Sequence, residues 1–412
     1  MQDVTPIVAK QYTQYSYPEP IADMKRAIRE GFHERFSPNL LWPMMWPSGK
    51  SFKQLKILVA GCGTNQAAYT AAIMPDAHVL GIDLSITSLQ HSQFLKEKHG
   101  LDNLSLRQMN LLNLCCLEDK YDYIVCTGVL HHLSNPDAGL RALKGVLASD
   151  GVMYIMVYGR YNRIGVYMLQ RAFRLLRCES QSSEDLMLVK STLDFVDPDH
   201  AVKRYLKVAS DVNYDAGLID TFLHPQDRAY DVPEVLAFSE NNALGFIDWT
   251  DRLPYTFSAA IPPQHPLARR LKNLSIAEKW TVMELLFQNR GTHAFLLGHP
   301  EYVRSMPRVD FRQGDQWRKW YPSVRAGFHL VEKANSAKGT KAKYLREGHT
   351  VIIEPDYEPI IESISGRRSC DEVIKRAQSK SPHLSDEQAR LFFGQLHEWH
   401  HLLFSEVPYG SC

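Results

Sequence analysis

The sequence has no excess of charge of either sign: 47 Lys and Arg against 46 Asp and Glu leave a formal net charge of +1. Nothing in that balance calls for a polyanionic partner. No apolar run approaches the ~20 residues that cross a bilayer, and the start, MQDVTPIVAKQYTQYSYPEP, lacks the apolar core of a secretory signal. A cytoplasmic location and no membrane partner are expected. The seven cysteines, Cys62, Cys115, Cys116, Cys126, Cys178, Cys370 and Cys412, are odd in number and contain no CxxC pair. Neither a disulfide framework nor a zinc knuckle is indicated. The 17 histidines are scattered without HxH or HExxH spacing, so no metal is expected, and HEWHH near the end reads as a helix face.

What is present is alternation. From Lys56 to Tyr158, β-rich runs (KILVAG, AHVLGID, LSLRQMN, YDYIVCTG, VMYIMVY) are separated by helical stretches, the mark of a parallel sheet covered on both faces. Between the last two runs, Ser134 or Asn135 caps a crossover helix with Pro136 in its first turn and Gly151 as its terminator. Residues 160 to about 225 read as a helical insertion. In its first helix Ile164, Met168, Leu169, Phe173 and Leu176 form one face, and Gln170, Arg174 and Arg177 a solvated one. Asp231-x-x-Glu234 then opens a short helix before the strand GFIDWT. A second insertion, about 251–290, precedes the last strand, THAFLLG. The stretch VEKANSAKGTKAKYLREG reads as a mobile connection or strand-poor edge, followed by two helices with capping boxes Ser369-x-x-Glu372 and Ser385-x-x-Gln388. The expected organisation is an N-terminal helical and aromatic segment over 1–50, an α/β domain over 51–310, and a linker with a small α-rich domain over 311–412.

In a doubly wound sheet the ligand lies beyond the carboxyl ends of the strands, where strand order reverses. Gly61 and Gly63 fall there, and the lack of a Cβ lets the backbone turn tightly and approach a ligand. Asn65 tolerates a left-handed backbone and is read as standing in for a third glycine. Asp83 ends the second strand, where a carboxylate can accept from both ribose hydroxyls. Dinucleotides and S-adenosylmethionine both fit that far. A dinucleotide needs a glycine where Gln66 stands, which favours the sulfonium cofactor and disfavours an NAD(P)-dependent oxidoreductase.

The series LVAGCGTNQ, VLGIDLSITSL, MNLLNL, YDYIVCTGVLHHLSNP and LASDGVMYIMVYG resembles the successive motifs of class I S-adenosylmethionine-dependent methyltransferases over residues 51–160, and more weakly over 225–300. The resemblance implies a doubly wound, Rossmann-like seven-stranded mixed sheet, S-adenosylmethionine as cofactor and S-adenosylhomocysteine as product. It implies that Gly61, Cys62, Gly63, Asn65 and Gln66 face the methionine part. It assigns Asp83 to the ribose, Leu84 to the adenine face, and Asn110 and Leu111 to the adenine edge. Thr127, Gly128 and Val129 then line the sulfonium. Family members often carry Asp where Asn110 stands, so altered affinity is expected. QYTQYSYP resembles the aromatic lid of many members, with Tyr15 and Tyr17 as the covering residues.

Methyl transfer mainly needs alignment and exclusion of water, so the pocket is more legible than a base. Candidate catalytic groups are His132 after the fourth strand, His224 and Tyr230 in DTFLHPQDRAY, and His293 at the start of the seventh strand. Candidate substrate contacts are Tyr158, Arg160, Tyr161, Asp227 and Arg228. The leading expectation is methylation of a small metabolite or natural-product precursor under a helical cap. A peptide or protein acceptor is the alternative, because the tail loosely resembles winged-helix modules that bind leader peptides. A nucleic-acid-binding regulator is the reading from another class, and the neutral charge argues against it. Oligomeric state and the acceptor atom are left open.

Overall fold

The computed structural model describes residues 11–15, 17–31, 34–178, 180–209, 211–288, 291–334 and 340–410. Residues 1–10 of the expected aromatic segment and Cys412 lie outside these. The chain divides into two compact units. One comprises Met1–Ser37, Phe52–Trp249 and Thr281–Val303; the other comprises Pro38–Ser51, Thr250–Trp280 and Arg304–Cys412.

The first unit is built on seven strands: β1 (Lys56–Ala60), β2 (His78–Asp83), β3 (Leu104–Gln108), β4 (Tyr121–Thr127), β5 (Leu147–Tyr158), β6 (Gly245–Trp249) and β7 (Thr292–Gly298), in the order β3-β2-β1-β4-β5-β7-β6. The first five are parallel; β7 runs antiparallel to β5 and β6, pairing Thr292 with Tyr158. The expected mixed sheet is thus present. Ile57, Leu58, Val59, Ile124, Val125 and Ile155 are fully buried, as continuous apolar runs in a two-sided sheet require. Strand order reverses between β1 and β4, which places the ends of β1, β2, β4 and β5 around one crevice.

One boundary differs from expectation. The crossover helix is Pro136–Gly145, capped by the Asn135 side chain on the Ala138 N–H, and β5 already begins at Leu147. Gly151 is not the helix terminator; it lies inside β5, where a Cβ would meet the Tyr121 carbonyl at 2.8 Å.

The first insertion is helical, as read: Ile164–Leu175, Ser183–Phe195, Val202–Leu206 and Asp215–Phe222. They share a core of Val166, Leu169, Phe173, Val189, Ile219 and Phe222. The face of the first helix is rotated from the expected one. Ile164 and Met168 are exposed while Gln170 is buried, because its amide donates to the Thr221 carbonyl at 2.8 Å and to Asp227 at 3.0 Å. A satisfied amide can take a core position. Gly165 permits the close crossing of two helices: a Cβ there would lie 2.0 Å from the Val202 nitrogen.

In the second unit, β8 (Tyr321–Val324) pairs antiparallel with β12 (Leu402–Ser405), and β9 (His329–Glu332), β10 (Ala342–Arg346) and β11 (His349–Ile353) form an antiparallel sheet ordered β11-β10-β9. The stretch read as a strand-poor connection therefore contains β10, whose alternating burial has the period of a one-sided strand. Helices Glu358–Ser363, Cys370–Lys380 and Asp386–Glu398 pack with it around Trp317, Tyr344, Ile360, Phe393 and Leu396. Both expected capping boxes form. HEWHH is a helix face only in part: the helix stops at Glu398 with His397 half-buried in its last turn, and His400 and His401 are buried beyond it.

Those histidines are satisfied by partners from the same unit. Arg346 Nε donates to His401 Nδ1 at 3.1 Å, His401 and His349 stand 2.9 Å apart, and His349 Nε2 faces the Ala259 carbonyl at 3.1 Å. Arg346 also pairs with Asp251 at 3.0 Å. Because Arg346 can only donate and a carbonyl can only accept, the chain of bonds runs one way and both imidazoles are neutral tautomers. This network is why the segment Thr250–Trp280 belongs to the C-terminal unit and not to the sheet on either side of it.

Candidate active site

The glycine loop after β1 has the backbone that its composition demands. Gly61 and Gly63 have φ of +70° and +53°, the region that favours glycine. A Cβ on Gly61 would lie 2.3 Å from Val129 Cγ2, and one on Gly63 would lie 2.9 Å from both Pro18 and the Tyr17 carbonyl. Asn65 departs from expectation. Its φ is −130°, so it is not a left-handed stand-in for glycine. Its side chain instead ties down the N-terminal segment, accepting from the Ile21 N–H at 2.9 Å and donating to the Glu19 carbonyl at 2.8 Å. The buried Gln66 amide exchanges hydrogen bonds with the Thr127 hydroxyl at 2.9 and 3.2 Å, linking the loop to the end of β4.

Asp83 ends β2 and accepts from the Gly63 and Ser85 N–H groups, each at 2.8 Å. Burial pushes its carboxyl above the usual range, against those two bonds. A diol donating to the carboxylate would restore the lost solvation, so the residue suits a ribose. Asn110 uses its side-chain oxygen on the Leu112 N–H at 2.9 Å, capping the turn Leu111–Cys116. Leu111 is buried beneath that turn, and Leu84 and Gly128 are half-buried at the ends of β2 and β4.

The N-terminal segment covers this loop. Thr64 donates to the Pro18 carbonyl at 2.7 Å, and Ser85 donates to the Tyr12 carbonyl at 2.9 Å. Of the two expected lid tyrosines, Tyr17 lies inside, with its hydroxyl 3.4 Å from Asp211. Tyr15 does not. It packs on the helical insertion and donates to the Gln181 carbonyl at 2.9 Å. The second inward residue is Tyr12, which the sequence did not distinguish from its neighbours.

Beyond the strand ends stands a buried polar cluster. Asp220, which entered the sequence reading only as the edge of a polar run, accepts from Tyr12 at 2.7 Å and from Tyr158 at 3.0 Å. Burial, then the Asp220 charge, holds both phenols well above their ordinary pKa. His132 and His224 stack with centroids 3.8 Å apart, and the backbone of one residue, Gln226, bonds to both rings. The Gln226 carbonyl lies 2.8 Å from His132 Nδ1, while the Gln226 N–H donates to His224 Nδ1 at 3.0 Å. A carbonyl only accepts, so His132 carries its proton on Nδ1 and presents a bare Nε2; His224 is the reverse tautomer, with its proton on Nε2. Burial first, then the neighbouring His132, depresses the His224 pKa well below the ordinary value. Burial and the same neighbour do so for His131.

Arg163, unmarked in the sequence, is buried in this cluster. Its guanidinium lies 3.6 Å from the Tyr158 ring centroid, donates to the Tyr205 hydroxyl at 2.7 Å and reaches Asp227 at 3.5 Å. The donor atoms of His131, His132 and Asp227 all lie within 4.8 Å of one another, as do those of His132, Asp220 and His224. Sequence spacing could not reveal either group, since each joins residues about ninety positions apart.

Other expected contacts are engaged elsewhere. Arg160 pairs with Asp231 at 2.8 Å and Glu234 at 2.5 Å, bracing the capping box of helix Val232–Asn241. Arg228 lies over the Tyr230 ring at 4.6 Å, and Tyr230 packs on Phe238 in the core. Tyr161 is half-buried, with its hydroxyl pKa raised by burial and then Asp231. His293 Nε2 lies 3.0 Å from Glu284 and 3.1 Å from the Tyr230 carbonyl. It is a satisfied core histidine.

Residues 51–163 match the family model described as "Methyltransferase domain". With the strand order, the glycine loop and the carboxylate ending β2, this match defines a class I S-adenosylmethionine-dependent methyltransferase, and that is the activity of the protein. The chain is 28% identical over 328 residues to an uncharacterized protein of Synechococcus sp., covering 76% of this chain and 75% of that one. It is 31% identical over 119 residues to the ubiquinone biosynthesis O-methyltransferase of Glaesserella parasuis, covering 28% of this chain and about half (49%) of that enzyme. Among solved structures it resembles PKMT2 from Rickettsia typhi, with a TM-score of 0.67 and 19% identity over 91% of this chain and 76% of that one. The same protein in complex with AdoHcy gives a TM-score of 0.65.

Proposed function

We propose that the protein methylates an oxygen or nitrogen nucleophile of a small metabolite or natural-product precursor, accepted at the buried polar cluster between the strand ends and the first helical insertion. The observation that carries this reading is Asp220 bridging the phenols of Tyr12 and Tyr158. One carboxylate thereby joins the N-terminal cover, the end of β5 and the insertion. Around it His132, His224 and Asp220 are buried, an enclosure suited to a compact acceptor.

Gly61, Gly63, Gln66, Asp83, Asn110 and Thr127 are the residues that would hold S-adenosylmethionine, and their geometry fits. The loop is free of Cβ atoms where a ligand must approach, and a desolvated carboxylate ends β2. When bound, the cofactor supplies an electrophilic methyl group. The chain's own part is to exclude water through Tyr12 and Tyr17 and to orient the acceptor against Tyr158 and the two imidazoles.

The test is release of S-adenosylhomocysteine from S-adenosylmethionine, followed by mass spectrometry across a panel of phenols, carboxylates, amines and unmodified polypeptides. Turnover with compact acceptors is expected. Turnover confined to the polypeptides would overturn the proposal in favour of a peptide or protein acceptor.

A further inference from the structure

The hydrogen bonds around His132 separate the two donor groups described above. In the group His132, Asp220 and His224, two of the three members are already committed. His224 Nδ1 accepts from the Gln226 N–H, so its Nε2 carries the proton. Both Asp220 oxygens accept from phenols. That group has no free lone pair on His224 to offer a cation.

The group His131, His132 and Asp227 is the opposite case. Both ring nitrogens of His131 are buried without a hydrogen-bond partner, and so is Asp227 Oδ1. The side chain of Asp227 is 0% exposed. His132 gives its Nδ1–H to the Gln226 carbonyl, so in the neutral ring, the form that ligates a metal, Nε2 is the free lone pair. Asp227 is oriented through its other oxygen, which accepts from Gln170 Nε2 at 3.0 Å and lies 3.5 Å from Arg163. Three donor atoms thus converge within 4.8 Å. Unpaired polar atoms in an interior call for an explanation such as a bound ion. Two of the three are already held from behind: a carbonyl on the far nitrogen of a ligand imidazole, and donors on the far oxygen of a ligand carboxylate, are the usual supports of a metal site.

We propose that His131, His132 and Asp227 bind a zinc ion. Two imidazoles and one carboxylate form an N/O set typical of zinc, and three protein ligands leave a fourth position for water or an acceptor oxygen. Ligand atoms around a tetrahedral zinc ion stand about 3.4 Å apart, given bonds of about 2.0–2.1 Å, so side-chain shifts of about an ångström close the site. Arg163 does not forbid the cation. Its charge lies on the Oδ2 side of Asp227, 3.5 Å from that oxygen, and leaves Oδ1 to the ion. The site does not depend on the choice of acceptor, since binding is read without donor or acceptor.

The exposed thiols of Cys115 and Cys116 are replaced by serine in every sample so that they hold no metal. The full chain is stripped with EDTA, dialysed against zinc chloride and then against metal-free buffer. Zinc is counted by inductively coupled plasma mass spectrometry. About one zinc per chain is expected in the parent, and in His329→Gln, which alters an exposed histidine. Less than a tenth of that is expected in His131→Phe and in Asp227→Asn. His131→Phe breaks no hydrogen bond and retains an aromatic ring against Tyr158, so it remains a test if Asp227→Asn fails to fold. Near-ultraviolet circular dichroism and S-adenosylhomocysteine binding report whether each variant is folded. An absence of retained zinc in the parent, or undiminished zinc in folded His131→Phe, overturns the proposal.

Discussion

The phenol of Tyr12 stands 2.7 Å from the carboxylate of Asp220, a residue 208 positions further along the chain. The bond joins the N-terminal cover to the helical insertion above the strand ends. Tyr12→Phe removes the donor and leaves a buried carboxylate with Tyr158 as its phenolic partner. A hydrogen bond to a charged group is worth about 1.5–3 kcal/mol, so faster S-adenosylhomocysteine dissociation and a lower melting temperature in its presence are expected. Stopped-flow displacement and thermal shift measure these. An unchanged dissociation rate would show that the cover does not depend on this bond.

Asp83→Asn keeps the size of the side chain and removes its charge. Because the carboxylate is desolvated and aimed at the loop, S-adenosylhomocysteine affinity should fall by about 100-fold or more, equivalent to roughly 3 kcal/mol of charged hydrogen bonding. Isothermal titration calorimetry reads the change directly.

Gly61→Ala meets two obstacles, a φ of +70° and a contact of 2.3 Å with Val129. The single variant should lose cofactor binding. Adding Val129→Ala should recover only part of it, since that relieves the contact but not the backbone strain. Full recovery in the double variant would assign the whole effect to sterics.

The C-terminal unit should weaken in acid. Burial depresses His397 and His401 to about 3, below the ~6.5 of an unfolded histidine. Depressed basic groups favour the folded state above the unfolded pKa, so the stability they confer is complete above pH ~6.5 and is lost as pH falls toward 3. Each contributes a slope of about 1.4 kcal/mol per pH unit in that window. Urea denaturation followed by tryptophan fluorescence at pH 7.5 and 5 tests the sign; equal midpoints would contradict it.

Asp251→Ala should be costlier than an exposed ion-pair deletion. Arg346 is 2% exposed in its side chain and pairs with Asp251 at 3.0 Å. Removing one partner of a buried pair costs about 3–5 kcal/mol. Arg312→Ala, which breaks an exposed pair with Asp310, should cost far less, because solvent screens that pair. Chemical denaturation of the two variants compares them.

The sheet was legible because its signals are local. Continuous apolar strands, the positive-φ glycines Gly61 and Gly63, the carboxylate Asp83 and the capping boxes at Asp231, Ser369 and Ser385 each act through neighbours in sequence. The misreadings are equally informative. Gln170 looked solvated because an amide at a helical position carries no mark of the Thr221 and Asp227 groups that satisfy it. Asn65 looked like a glycine substitute because its tie to Glu19 and Ile21 spans more than forty positions. Tyr12 and Tyr15, three apart in one run, point to different partners.

By itself, then, the order of residues determined the alternating α/β framework, the glycine turn after β1 and the acid that ends β2, because backbone conformation and hydrophobic period are set within a few residues. Only the tertiary structure decided which tyrosines turn inward, that the backbone of Gln226 gives His132 and His224 opposite tautomers, and that Asp251 belongs with Arg346. Those outcomes depend on desolvated contacts between distant segments, and burial, which gives such contacts their energy, exists only after the chain has folded.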